Sequence, residues 1–262
     1  MGLMESLRVS REGFPAPSAR STAVARAVLL RVAAGELGPT FRLHRPGRIL
    51  AFSKQDAASE GFGDAVRAAR AAGFTPVIRL AGGRAAVYHE KTLALSWAVA
   101  DRRPSAHTDA RFRELAELLR DALSDLGVEA RVGEIPGEYC PGAWSVNARG
   151  ATKLAGTGQR LIAGAAHRGA VIVAGGSALV REALVPIYEA LGLDWDPATA
   201  GSVEDEVPGA SLSQVEEAII ARLGERYELS DARIDPETLA LAERLESDHI
   251  VPTATVPASF EG

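Results

Sequence analysis

Arg79-Leu80-Ala81-Gly82-Gly83-Arg84-Ala85-Ala86-Val87-Tyr88-His89 is the stretch on which the fold turns. Pro76 to Leu80 reads as a short apolar strand. It runs into paired glycines, where the backbone can approach a ligand closely or take φ > 0 without a Cβ clash. The chain then returns to an apolar run, Ala85 to Tyr88, which reads as a second strand. An isolated Gly-Gly pair is more often a hairpin turn beside a surface histidine than a ligand loop. Neither the Gly-Lys-Ser/Thr ending of a phosphate loop nor a Gly-x-Gly-x-x-Gly dinucleotide motif is present.

Similar punctuation extends in both directions. Val24, Val28, Leu29 and Val32 recur at helical spacing between Ser21 and Ala34. Phe41 to His44 and Ile49 to Phe52 are strands around an Arg45-Pro46-Gly47-Arg48 turn, and Gly63 to Ala72 is a helix. Downstream, Leu93 to Val99 is a strand and Asp109 to Leu126 an amphipathic helix stopped by Gly127. Val128 to Val132, Ala143 to Asn147, Thr152 to Leu161 and Ala170 to Ala174 continue as strands. Leu179 to Leu191, Leu212 to Tyr227 and Pro236 to Glu246 are helical. Strands and helices alternate without a strict βαβ rhythm, so the expected class is α+β, with a mixed, largely antiparallel sheet flanked by helices. Residues 1–20, with Gly13, Pro15 and Pro17, read as a flexible arm, 21–250 as one domain and 251–262 as a tail.

The 262 residues carry a net charge of −5, which argues against a general nucleic-acid binder. No apolar run reaches membrane-spanning length. A single cysteine excludes an internal disulfide and favours a reducing, cytoplasmic setting. His44, His89, His107, His167 and His249 are scattered without metal-ligand spacing, so no metal is expected. Trp144, beside the cysteine loop, is a candidate wall for an apolar pocket.

That cysteine, Cys140, lies in Tyr139-Cys140-Pro141-Gly142, and Lys153 follows thirteen residues later. Only three of the 29 basic residues are lysine, so Lys153 marks a position that calls for a compact ammonium. Free cysteine otherwise behaves as a small core hydrophobe. Here the Pro141-Gly142 turn places it in a loop, and a nearby cation lowers a thiol's pKa and activates it as a nucleophile. A simple hairpin sets Lys153 opposite Val146, leaving Cys140 six residues away, roughly 20 Å at strand rise. The pairing therefore requires the Cys140 loop to fold back over the sheet.

Together the two segments resemble the lipoate–protein ligase and octanoyltransferase family. Arg79, Gly82, Gly83, Val87, Tyr88 and His89 meet its Arg-x-x-Gly-Gly-x-x-x-Val-Tyr/Phe-His pattern. Lys153, Gly156, Gln159 and Arg160 meet its Lys-x-x-Gly-x-x-Gln-Arg strand. The cysteine loop is similar to the branch that moves octanoyl between lipoyl-carrier proteins. The resemblance implies a biotin/lipoate ligase-like catalytic domain with Cys140 as acyl-accepting nucleophile and Lys153 as its activating cation. It also implies an eight-carbon tunnel lined by Gly82 and Gly83, with Arg79 and His89 orienting the loop or carrier. Tyr88, Gly156 and Gln159 complete the implied substrate-binding set. No cofactor is implied. The implied partners are lipoyl-carrier proteins (glycine-cleavage H protein, dehydrogenase E2 lipoyl domains) or acyl carrier protein. Arg84 stands where the ATP-dependent ligases of this family carry a third glycine. An ATP-dependent lipoate–protein ligase using Lys153, or a non-catalytic lipoyl-domain-binding module, are the alternatives.

Overall fold

Long antiparallel strands in the middle of the chain organise the molecule, and the computed structural model describes residues 4–14 and 19–252. The C-terminal tail expected over 251–262 lies outside the described residues from 253 onward. In chain order, β1 (Glu5–Ser10), α1 (Arg20–Ala33) and β2 (Thr40–His44) come first. They precede β3 (Ile49–Phe52), α2 (Lys54–Ala57), α3 (Phe62–Ala71), β4 (Thr75–Ile78) and β5 (Ala86–Tyr88). The centre holds β6 (Thr92–Ala100), α4 (Thr108–Asp125), β7 (Ala130–Val132), β8 (Val146–Ala148), β9 (Thr152–Ile162) and β10 (Ala165–Val173). Last come α5 (Ser177–Ala190), α6 (Val203–Glu206), α7 (Leu212–Gly224), β11 (Tyr227–Asp231) and α8 (Pro236–Leu245).

The strands form an eight-stranded sheet, ordered β11-β1-β2-β6-β10-β9-β8-β7, and a three-stranded sheet, β4-β3-β5. From β2 to β7 every pairing in the large sheet is antiparallel, while β1 runs parallel to both β2 and β11. The α+β expectation and its largely antiparallel sheet therefore hold. The loose-arm reading fails for Glu5–Ser10, because Leu7 and Val9 are buried in the core and the strand fills a slot between β2 and β11. The helix expected to run to Tyr227 stops at Gly224, and Tyr227 opens β11 instead.

Side-chain alternation divides the large sheet's two faces. Leu93 and Trp97 of β6 join Phe41, Leu43 and the buried Leu115, Leu119, Ala122 and Leu123 of α4 in the principal core. The other face sets small residues, Ala94, Ser96 and Ala98 on β6, Gly169 on β10 and Gly156 and Gly158 on β9, beside the larger Arg42 and His44 of β2 and His167 of β10. Ala98 packs against α1 at one end of that face. Gly158 lies opposite Gly169 in register, so two adjacent strands lack side chains at the same level. Glycine in strand interiors costs order and marks close approach by something else. Here Ala81 approaches Gly158 and the His167 ring approaches Gly169, and these glycines line a cavity between the large sheet, α1 and the small sheet.

Candidate active site

Cys140 reaches this cavity because its loop is tied at several points. Cys140 itself takes φ +44°, a left-handed conformation uncommon outside glycine. Its N–H donates to the Tyr188 hydroxyl at 2.9 Å, and that hydroxyl donates to the Ala85 carbonyl at 3.1 Å. Tyr188 thus joins the cysteine loop to the segment just after the glycine pair.

The buried anchor beneath the loop is Glu138. Its Oε1 accepts from Gly142 N (3.0 Å), Ser145 Oγ (2.6 Å) and Lys153 Nζ (3.2 Å). Lys153 donates further to the carbonyls of Tyr139 (2.9 Å) and Cys140 (2.8 Å), and its ammonium lies 4.9 Å from the Tyr139 ring centroid. The required fold-back therefore exists, but Lys153 grips the backbone of Cys140 and not its sulfur. Register differs too: Lys153 pairs with Asn147 and Ala155 with Val146, across a bulge. The strand expected over Ala143 to Asn147 is only Val146–Ala148, which frees the preceding residues for the loop.

The thiol is held on its other side by the glycine segment. Arg84 N–H donates to Sγ at 3.1 Å, and Arg79 Nη2 approaches it at 3.7 Å. Gly83 takes φ +98°, and a Cβ there would lie 2.8 Å from Sγ and closer still to the Arg79 guanidinium. Only glycine admits both sulfur and cation at that point. Burial pushes the Cys140 thiol up, but Arg79, Lys153 and the Arg84 amide together bring its pKa below the ordinary value. Burial lowers Lys153, opposed by the Glu138 charge and by Cys140.

The cavity has a volume of about 110 Å³. Cys140, Lys153, Arg79 and Tyr88 line it together with Gly156, Gly158 and Gly169 of the large sheet and the apolar Ala25, Ile49, Ala51 and Val77 of α1 and the small sheet. Burial raises the Tyr88 phenol, keeping it protonated. Arg79, Tyr88, Cys140, Lys153 and Gly156 thus all line this one cavity.

Other residues from the motifs sit elsewhere. Gly82 and Gly83 do not line the cavity; the glycines that line it are Gly156, Gly158 and Gly169 of the strands. His89 is buried beneath its own turn, its N–H donating to Thr92 Oγ1 and its Nδ1 accepting from Lys91 N. Gln159 lies outside the cavity and bonds Arg111 and the Thr108 carbonyl, tying β9 to α4. Trp144 does not line this cavity; it stacks on Phe112 at 6.3 Å. No cluster of metal-ligating residues occurs among the described residues.

Two functional neighbours were not singled out by sequence reasoning. Glu138 adjoins the Tyr139-Cys140 motif, and an acid two residues before a cysteine and fifteen before a rare lysine was the available signal. Tyr188 had none, since its bond to the Cys140 amide spans 48 residues.

Comparison with known proteins identifies the family and the fold. Residues 17–224 match the family model of the lipoyl protein ligase A/B catalytic domain. A Bacillus velezensis protein named octanoyl-[GcvH]:protein N-octanoyltransferase is 29% identical over 227 residues, covering 81% of this chain and 79% of that one. Among solved structures, a bipartite lipoate protein ligase from Thermoplasma acidophilum, studied with its E2 lipoyl domain, superposes with a TM-score of 0.71 at 19% identity. That match covers 93% of this chain and 92% of the other. A lipoate-protein ligase A bound with ATP also gives 0.71, at 18% identity, covering 93% and 95%. At these identities the two structures speak for the fold.

Proposed function

Because the chain belongs to the lipoyl protein ligase A/B catalytic-domain family, we propose that it is an acyltransferase moving an octanoyl or lipoyl group onto the lysine of a lipoyl-carrier protein through a Cys140 acyl-thioester. The observation that carries this reading is the thiol's seat in the cavity wall, between the Arg84 amide and Arg79, on a loop gripped by Lys153.

In the first step the Cys140 thiolate attacks the donor acyl carbonyl, a thioester on acyl carrier protein or an amide on a carrier lysine. A carbon–sulfur bond to Cys140 forms as the donor's carbon–sulfur or carbon–nitrogen bond breaks. The proton given up by the thiol ends on the departing thiol or amine. In the second step the neutral amine of the acceptor lysine attacks the thioester. The Cys140 sulfur leaves and regains a proton from that amine. No ATP enters either step.

Arg79 is the cation nearest the sulfur and is placed to hold the developing oxyanion as well as the thiolate. Lys153 has all three ammonium donors engaged by Glu138 and the two loop carbonyls. Its role is to fix the loop and to supply field. A ligase mechanism would need Lys153 to release one of those bonds for an acyl-adenylate. Glycine-cleavage H protein and dehydrogenase lipoyl domains are the proposed carriers, following the name borne by the Bacillus velezensis relative for the first.

The test is incubation with octanoylated H protein and an apo lipoyl domain, with and without ATP, followed by mass spectrometry of all components. ATP-independent transfer that disappears in Cys140→Ala supports the reading. Transfer only from free acid plus ATP, retained in Cys140→Ala, selects the ligase. Binding of the octanoylated carrier with no turnover from either donor selects the non-catalytic module.

A further inference from the structure

The far side of the same cavity is not apolar. His44 on β2 and His167 on β10 both line it, and both are more than nine-tenths buried. Neither ring nitrogen of His44 has a hydrogen-bond partner, and His167 Nδ1 has none either. His167 Nε2 is shared with Ser96 Oγ at 3.0 Å. Gly169 leaves room for the His167 ring, since a Cβ there would lie 3.0 Å from Cε1.

Buried polar atoms are normally paired, because leaving them unpaired forfeits their hydration. Three orphaned imidazole nitrogens around one cavity therefore indicate something that enters it. Burial lowers the pKa of both histidines, and Arg42 and Arg168 respectively reinforce it, so both rings are neutral. A neutral imidazole offers one donor and one acceptor. The one buried cation adjoining His44 along β2, Arg42, is spent on the Glu12 carbonyl and on Ser21. That end of the cavity thus offers hydrogen bonds without charge.

Position along the cavity follows from sheet register. His44 faces Ala94, Ala94 faces Val171, and Val171 faces Gly156. His44 therefore sits three strand spacings from β9, which carries Lys153, about 14 Å at ~4.8 Å per spacing. With the imidazole reaching inward, the remaining gap suits an extended chain of medium length.

We infer that His44 and His167 are specificity-determining residues for an acyl group bearing a neutral heteroatom in its distal half, and that the enzyme favours such a chain over plain octanoyl. This rests on the proposed acyl transfer. A saturated hydrocarbon end would leave all three nitrogens unpaired, whereas a hydroxyl or a dithiolane sulfur can engage them. Sulfur is the weaker acceptor, and only a hydroxyl can also donate.

The experiment charges one carrier protein with octanoyl, 8-hydroxyoctanoyl or lipoyl groups and measures kcat/KM for each donor. The ratio to octanoyl is taken within the native enzyme, His44→Leu and His167→Leu, so that loss of folded protein cancels. The expected result is a preference of about tenfold or more for at least one heteroatom-bearing chain, the scale of one buried polar group left unpaired. That preference should fall toward unity in either leucine variant. The hydroxyl and lipoyl arms tell which heteroatom is read. Equal or better use of octanoyl by the native enzyme, or a preference that survives both substitutions, overturns the inference. If no donor is turned over, the acyl-transfer reading itself has failed. Binding of the three acylated carriers to the native enzyme and both variants then decides the histidine inference by the same ratios.

Discussion

Replacing Lys153 with Met should unfold the cysteine loop from beneath. Lys153 and Glu138 have 1% and 0% of their side-chain surface exposed, at 3.2 Å separation. Removing one member of such a pair leaves the other charge buried and unpaired, at a cost of about 3–5 kcal/mol. Glu138 Oε2 already lacks a partner, so no spare bond takes up the loss. For a domain of this size, at about 2–4 °C per kcal/mol, the melting temperature should fall by roughly 6–20 °C. Adding Glu138→Gln removes the uncompensated charge and should restore a large part of that stability. Transfer should not return, because the loop carbonyls of Tyr139 and Cys140 still lack their donor and the thiol, though Arg79 remains, has lost the field of Lys153. Calorimetry of native, K153M, E138Q and K153M/E138Q proteins closes the cycle. A K153M melting temperature within about 2 °C of native, or no recovery in the double variant, would refute the buried-pair reasoning.

Gly83→Ala should destabilise by about 1–2 kcal/mol from its left-handed backbone alone and also displace the thiol or Arg79. Gly82→Ala, with nothing within 4 Å of its Cβ, should stay within about 0.5 kcal/mol in the same urea titration. Arg79→Ala removes the cation that acts most strongly on the thiol, so the iodoacetamide reaction of Cys140 should reach half-maximum at higher pH than in the native enzyme. An unchanged midpoint would mean that Arg79 does not activate the sulfur. His167 is held down from 6.5 to about 4, so between those values the unfolded chain binds more protons than the folded one. Stability is then complete above about pH 6.5 and falls as pH drops toward 4, by up to about 1.4 kcal/mol per pH unit from this group. His167→Gln should flatten that slope in urea titrations across the window.

Periodicity made the central architecture legible. α4 carries its buried leucines at helical spacing, and β6 is an apolar run long enough to stand out. β10 shows an apolar run only in its second half and begins five residues before the strand expected from Ala170. β1 was missed because its two core residues, Leu7 and Val9, sit in a short segment beside a Gly/Pro-rich stretch. Its stability comes from parallel partners β2 and β11, one of them more than two hundred residues away. The site was legible as two motifs, and strand length correctly demanded a fold-back between them. What local pattern cannot give is how the fold-back is held: one buried carboxylate, a left-handed cysteine and a tyrosine from α5. The cavity is lined by Gly156, Gly158 and Gly169 where the motif pointed to Gly82 and Gly83, because the pairing of Gly158 with Gly169 depends on register between strands.

The central claim is an acyl-thioester on Cys140. Intact-mass analysis after mixing the enzyme with octanoylated H protein, without ATP or acceptor, tests it directly. The account predicts an octanoyl adduct on the native enzyme that maps to the Cys140 peptide, is lost to hydroxylamine and is absent from Cys140→Ala. Transfer to an acceptor carrier by Cys140→Ala at the native rate would contradict it.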